Sequence, residues 1–268
     1  MAIHEHSQRG NVDIDGLPDV IEAPHRLSMV YGGGGIFGIA YGAGVAAGLA
    51  EAGIPVADAP SLGTSAGSWV AAVMALGIPY EEVAALDAPS VPTRGDVLHE
   101  RARELLGDAR HHLVAVSAVH LRSQRRHILD GARFDLADLA AASSAVPGLF
   151  PPHRIEGRRY IDGGMWSATS VDAARDARHV IVVAPIAGPV LGPMGRTSGL
   201  LLARELDRWR DRHPGHAISM IRPNRAIGKL AGRNPLNLFD KERAAAAYPL
   251  ALEQGRRFGE ELAAEVAA

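Results

Sequence analysis

The stretch Pro60–Leu76, PSLGTSAGSWVAAVMAL, decides the fold. A short apolar strand over Pro60–Thr64 runs into Gly63-Thr64-Ser65-Ala66-Gly67, and an apolar helix follows over Ala66–Leu76 until Gly77 and Pro79 end it. A serine on a glycine-flanked turn between strand and helix is the placement that an exposed nucleophile requires. Ser65 is therefore a candidate nucleophile. The same pattern also fits a glycine-rich helix start in which Ser65 is only the N-cap.

Apolar strand patterns alternate with helical patterns along the rest of the chain. This alternation predicts an α/β fold with a mainly parallel sheet sandwiched by helices. The further predicted strands are Leu27–Tyr31, His112–Val119, Arg158–Ile161, His179–Ala184 and Ala217–Ile221, and the longest further helices are Gly38–Ala52, Val97–Leu106, Phe134–Ser143, Thr197–Arg212 and Lys241–Val266. We expect one domain over residues 26–268, preceded by a polar, flexible leader over residues 1–25.

Composition excludes several classes of protein. The formal net charge of −2 argues against a nucleic-acid-binding protein, and the lack of cysteine excludes disulfides and thiolate chemistry. Ser28–Ala50 and Ala59–Tyr80 are uncharged and long enough to span a bilayer, but each contains a glycine turn. We interpret both as a buried strand, a turn and a buried helix. A cytoplasmic location with transient contact at membrane surfaces is expected.

A glycine cluster, Gly32-Gly33-Gly34-Gly35, follows the first predicted strand. Glycines let backbone N–H groups approach an anion, so this cluster beside a helix N-terminus can hold an oxyanion. Gly33-x-Gly35-x-x-Gly38 also fits a dinucleotide-binding fingerprint. That fingerprint requires an acidic residue after the second strand, where this chain has the serine turn, so the dinucleotide interpretation is the weaker one.

Asp162-Gly163-Gly164 follows a short predicted strand. A carboxylate on a glycine turn can point into a site as a base, although Asp-Gly pairs are also common in simple hairpin turns. A conventional triad would add a histidine after the aspartate, and His179, His213 and His216 are the histidines in that position. An α/β-hydrolase with a Ser-Asp-His triad and a non-catalytic dinucleotide- or lipid-binding protein therefore both stay open as alternatives.

Four segments together resemble the patatin-like phospholipase family. They are GGGGIFGIAYGAGV (Gly32–Val45), GTSAGS (Gly63–Ser68), SSAVPGLFPP (Ser143–Pro152) and YIDGG (Tyr160–Gly164), in the family's order and spacing. The resemblance implies a patatin-like fold and a serine acyl hydrolase for lipids or other carboxylic esters. It also implies a catalytic dyad without histidine.

The resemblance assigns a role to each motif. Ser65 would be the nucleophile, Asp162 its general base, and the amides of Gly33, Gly34 and Gly35 the oxyanion hole. The family usually has Arg or Lys one residue before the last glycine of its first motif, where this chain has Phe37. No cofactor or metal is expected, and the expected partner is a lipid or acyl-ester substrate.

Other side chains have less distinctive patterns. Trp69, Met165 and Trp166 can line an acyl pocket, but ordinary packing is the favoured interpretation. The basic run over residues 122–133 is interpreted as a solvated charged surface. Residues 222–240 are interpreted as a second basic loop, either a lid or an ordinary surface loop.

Overall fold

The sheet contains eight strands, four of its pairings parallel and three antiparallel. The computed structural model describes residues 25–87, 91–93, 95–188 and 192–267. Residues 1–24 of the predicted leader lie outside the described residues, and His25 already begins the first strand. The strands are β1 (His25–Tyr31), β2 (Ser61–Thr64), β3 (Val114–His120), β4 (Arg125–Asp130), β5 (His153–Ile155), β6 (Arg158–Asp162), β7 (Ala177–Val183) and β8 (Ala217–Ile221).

Within the described ranges, eight α-helices connect and cover these strands. They are α1 (Gly35–Glu51), α2 (Ala66–Leu76), α3 (Tyr80–Ala85), α4 (Val97–Leu106), α5 (Leu136–Ser144), α6 (Gly192–Arg212), α7 (Arg225–Ala231) and α8 (Lys241–Ala267). Short 3-10 helices cover Gly163–Met165, Val171–Ala173 and Pro235–Phe239. No helix among these described residues is both long and apolar enough to cross a membrane.

The sheet is buried on both faces, which explains why its central strands are apolar throughout. Met29 and Tyr31 of β1 belong to the core beneath α1 and α2, whereas Val30 belongs to the core on the opposite face. The opposite face is covered by α6, whose Leu206 and Trp209 are buried there. This arrangement confirms the predicted α/β fold with a mainly parallel sheet between helices.

Helices α1 and α8 pack closely because glycines line their contact. A Cβ on Gly48 of α1 would overlap the carbonyl oxygen of Leu252, and a Cβ on Gly255 of α8 would overlap that of Val45. Glycine therefore lets the two backbones approach to a distance that side chains would prevent. This packing holds α1, and the glycine turn before it, in a fixed place.

The structure corrects two interpretations of charged segments. Half of the basic run over residues 122–133 forms strand β4, and Arg126 is buried in a two-pronged ion pair with Asp172, at 2.6 and 3.0 Å. A strand was missed there because only two of its six residues are apolar, although five of the six are buried. Residues 222–240 contain α7 and the 3-10 helix Pro235–Phe239 rather than a plain loop.

Candidate active site

Ser65 lies on the sharp turn between β2 and α2 in a conformation that side chains rarely adopt. Its φ is 53° and its ψ is −123°. A Cβ on Gly63 would collide with the backbone at Ser68, and one on Gly67 would collide with the carbonyl of Tyr31. Both flanking glycines are therefore sterically required, and the strained backbone projects the Ser65 side chain away from the turn.

Two other serines hold this turn in place. The Ser68 hydroxyl donates to the Ser65 carbonyl at 2.5 Å. The Ser65 N–H donates to the Ser143 hydroxyl on α5 at 2.9 Å, and that hydroxyl donates to the Ser117 carbonyl on β3 at 2.7 Å. Ser143 thus connects the turn to both α5 and the sheet. Its positioning contact was not foreseen from the sequence, because nothing in the SSAVPGLFPP motif indicates its partner.

Asp162 reaches Ser65 because β2 and β6 both pair with the same edge of β3, β2 along its first half and β6 along its second half. Strand β4 pairs with β3 over Ala115–His120 and so fills the opposite edge along this whole length. On the remaining edge, Thr64 of β2 lies opposite Ser117, and Asp162 of β6 lies opposite Ala118. The antiparallel β6 therefore ends where the parallel β2 ends, and the two strand ends face each other.

The Ser65 hydroxyl donates a hydrogen bond of 2.6 Å to Oδ2 of Asp162. Oδ1 of the same carboxylate accepts from the Gly164 N–H at 2.5 Å, which fixes its orientation. Asp162 is only 4% exposed. Burial raises the pKa of Asp162 from 3.8 to about 6, although the hydrogen bonds from Ser65 and Gly164 favour the charged form.

The glycine turn lies directly beside the serine. A Cβ on Gly33 would stand 3.2 Å from the Ser65 Cβ. Gly34 and Gly35 have φ values of 156° and 61°, and this backbone turns the chain from β1 into α1. Ser65, Asp162 and the glycine cluster are thus brought to one place.

The predicted set of oxyanion donors needs one correction. The Gly33 N–H already donates to the Ala168 carbonyl at 2.8 Å, so it is not free to bind an oxyanion. No hydrogen bond among the described residues uses the N–H of Gly34 or Gly35. These two amides, at the positive end of α1, are the available donors of the cluster.

Phe37 occupies the position at which the family has a cation. Its side chain is fully buried in the apolar core. Helix α1 crosses the start of α2 closely, since a Cβ on Gly38 would lie 3.2 Å from that of Ala66. The backbone of the turn therefore stays in place without a cation, and no charge from this position reaches the site.

An apolar cavity of about 340 Å³ opens beside Ser65. Its wall includes Ile36, Ile39, Val83 and Phe150 as well as Trp69, whose Nε1 donates to the Ser144 hydroxyl at 3.0 Å. Trp69 is therefore both a packed residue and a cavity wall. Met165 and Trp166 are 59% and 50% exposed and do not line this cavity.

The late histidines lie at the other end of the sheet. His179 is opposite Leu27, near the start of β1, and its Nε2 pairs with the Ser219 hydroxyl at 2.9 Å. His213 and His216 face Asp176, which precedes β7. In the described part of the chain, the Asp162 carboxylate accepts hydrogen bonds from the Ser65 hydroxyl and the Gly164 N–H, and neither donor is a histidine. This geometry therefore does not favour a triad.

A second titratable cluster, at α4, α5 and β5, was missed from the sequence. His99, Asp138 and His153 place one potential ligand atom each within 4.8 Å of one another. Their positions in the chain are too far apart to form a recognisable motif. The spacing of Asp96 and His99, three residues apart at the start of a helix, is the only local signal.

Comparison with known proteins supports the resemblance. Residues 88–175 match the family model described as patatin-like phospholipase. This segment contains Asp162 but not Ser65. No curated protein sequence matches the chain. Among solved structures, VipD from Legionella pneumophila is 14% identical, covers 89% of this chain and 67% of that one, and gives a TM-score of 0.46. The family match confirms the predicted resemblance to patatin-like phospholipases, a lipid acyl hydrolase family.

Replacing Asp162 with Asn should stabilise the protein at neutral pH but not in acid. The folded state keeps the Asp162 proton up to about pH 6, whereas the unfolded chain loses it near the ordinary pKa of 3.8. Wild-type stability therefore falls as pH rises from 4 through 6, by roughly 3 kcal/mol for this one group. Denaturant unfolding at pH 4 and pH 8 measures the difference between the variant and wild type.

The stability gain of Asp162→Asn should be present at pH 8 and nearly absent at pH 4. Asp207→Asn, at a position 72% exposed, provides the control and should show little pH-dependent difference. An Asp162→Asn gain of equal size at both pH values would contradict a raised pKa.

Proposed function

We propose that this chain, in which residues 88–175 match patatin-like phospholipases, is a serine acyl hydrolase that cleaves lipid or other carboxylic esters with Ser65 and Asp162. One observation carries the proposal. The Ser65 hydroxyl donates at 2.6 Å to a buried carboxylate at the wall of an apolar cavity, beside two glycine amides that bond to no other described residue. A merely structural serine needs neither the strained backbone nor the cavity.

The geometry supports the following acylation step. As Ser65 Oγ attacks the ester carbonyl carbon, Oδ2 of Asp162 takes its proton and the carbonyl π electrons move to oxygen. The amides of Gly34 and Gly35, in the glycine turn beside Ser65, would stabilise that oxyanion together with the positive end of α1. When the intermediate collapses, the C–O bond to the leaving alcohol breaks, and Asp162 returns the proton to that alcohol.

Deacylation repeats these steps with water as the nucleophile. Asp162 removes a proton from a water molecule as its oxygen attacks the acyl carbon, and the proton then returns to Ser65 Oγ as the acid leaves. The raised pKa of Asp162, about 6, suits both the uptake and the return of the proton. At this pKa the group is ionised at pH 7 and yet a better base than an ordinary carboxylate.

The cavity supports a substrate with an apolar acyl chain. Apolar side chains from α1, α2 and α3 line its interior, whereas its rim includes charged residues of both signs: Asp87, Arg101, Lys241 and Glu242. An acyl chain would be removed from water in such a cavity, at about 0.8 kcal/mol for each buried CH₂ group. The mixed rim charges do not select one head group.

Covalent labelling tests the nucleophile. A fluorophosphonate probe should label the wild-type protein, and Ser65→Ala should abolish the label. Asp162→Asn should lower the hydrolysis of chromogenic acyl esters about 10²–10⁴-fold, because the hydroxyl loses its proton acceptor. Ser123→Ala, at an exposed turn, is the serine control and should leave labelling unchanged. Undiminished hydrolysis by Asp162→Asn would remove this residue from the mechanism.

A neighbouring pair of exposed alanines on α8 tests the acyl cavity. Ala245 lines it and Ala246 does not. Ala245→Trp should lower kcat/KM for long-chain esters by roughly tenfold relative to acetyl esters, since the new ring fills space that a long chain needs. Ala246→Trp should leave the chain-length profile unchanged. Equal effects of the two substitutions would argue that acyl chains bind elsewhere.

A further inference from the structure

We propose that His99, Asp138 and His153 form a binding site for a divalent transition metal of the zinc class, away from Ser65. The three residues come from three different elements, α4, α5 and β5. Their potential ligand atoms all lie within 4.8 Å of one another. Chain folding, not local sequence, therefore creates this convergence.

One nitrogen of each histidine lies close to the same carboxylate oxygen. Nε2 of His153 is 2.8 Å and Nε2 of His99 is 3.3 Å from the same oxygen, Oδ1 of Asp138. In a tetrahedral zinc site with bonds of about 2.0–2.1 Å, neighbouring ligand atoms lie about 3.3 Å apart. The ligand atoms of the two histidines, within 4.8 Å of each other, would approach by at most about 1.5 Å to bind one ion.

Asp96 supports the site from outside. Its Oδ1 lies 3.2 Å from Nδ1 of His153, the ring nitrogen that points away from Asp138. Metal-bound histidines commonly donate their other N–H to a carboxylate, which fixes the tautomer and the ring orientation. Oδ2 of Asp96 also lies 4.0 Å from Nδ1 of His99, which is close enough for an ion pair but too far for a hydrogen bond.

The ligand types select the class of metal. Two imidazoles and one carboxylate suit zinc, cobalt or nickel, whereas calcium and magnesium prefer all-oxygen sites. His153 is 6% exposed and His99 is 31% exposed, so the site has one buried anchor and one side open to solvent. A water molecule can complete four-coordination from that open side.

The site joins two helices that shape the candidate active site. Helix α4 contributes Leu98 and Arg101 to the cavity wall, and α5 carries Ser143, the hydrogen-bond partner of the Ser65 N–H. A metal bound between His99 and Asp138 would hold α4 against α5. The ion would therefore stabilise the cavity wall without touching the reacting atoms.

Zinc titration of the chelator-treated, untagged full-length protein tests the site. His4 and His6, outside the described residues, are replaced with alanine in every sample so that they cannot bind zinc. Calorimetry should show one Zn²⁺ per chain. Asp96→Asn should weaken this binding about 10–100-fold, as is typical when a supporting carboxylate is lost. His99→Gln and Asp138→Asn should weaken it further.

His216→Ala is the matched control, because His216 also faces an aspartate, with Nδ1 3.1 Å from Asp176. It should leave zinc affinity unchanged. Cobalt should give the intense visible absorption of a four-coordinate site in the wild type and lose it in His99→Gln. Circular dichroism checks that each variant is folded. Less than one zinc per chain, or equal affinity in wild type and a folded His99→Gln, would overturn the proposal.

Discussion

The meeting of two strand ends on one edge of β3 is the constraint on which the site depends. Strand β2 runs parallel to β3 as far as Ser117, and β6 runs antiparallel from the next residue, Ala118. Ser65 and Asp162 therefore need no long loops to reach each other, and their contact is set by sheet register. A one-residue slip of β6 would turn the Asp162 side chain to the other face of the sheet.

Burying Asp162 costs folding free energy when its carboxylate is ionised, and the same burial makes the carboxylate a stronger base. Asp162 is buried with two hydrogen bonds and no cationic partner among the described residues, so its ionised form is disfavoured and its pKa rises. A cation beside Asp162 would stabilise the fold, but it would also lower the pKa of the carboxylate and so weaken it as a base. Arg126, a buried cation, is instead paired with Asp172. The unfavourable burial of the ionised Asp162 carboxylate is thus what a general base that works near neutral pH requires.

Much of the fold was predictable because its central elements are strongly patterned. The helices over Ala66–Leu76 and Val97–Leu106 have the predicted bounds, since turn residues mark their ends. Strand β4 was missed because its buried arginine finds its partner, Asp172, far along the chain. The contact of Ser65 with Asp162 was expected from family resemblance, but the occupied Gly33 amide and the Ser143 contact depend on tertiary distances that no sequence pattern encodes. The cluster at His99 was missed for the same reason.

The proposed mechanism uses a carboxylate alone as the base for Ser65. Single-turnover acylation of the protein by a chromogenic ester, followed from pH 4 to pH 9, measures this directly. The wild type and a variant in which His179, His213 and His216 are all replaced by glutamine should both show acylation rising through one ionisation, with an apparent pKa of about 6. Loss of acylation, or of that ionisation, in the folded histidine variant would contradict the account.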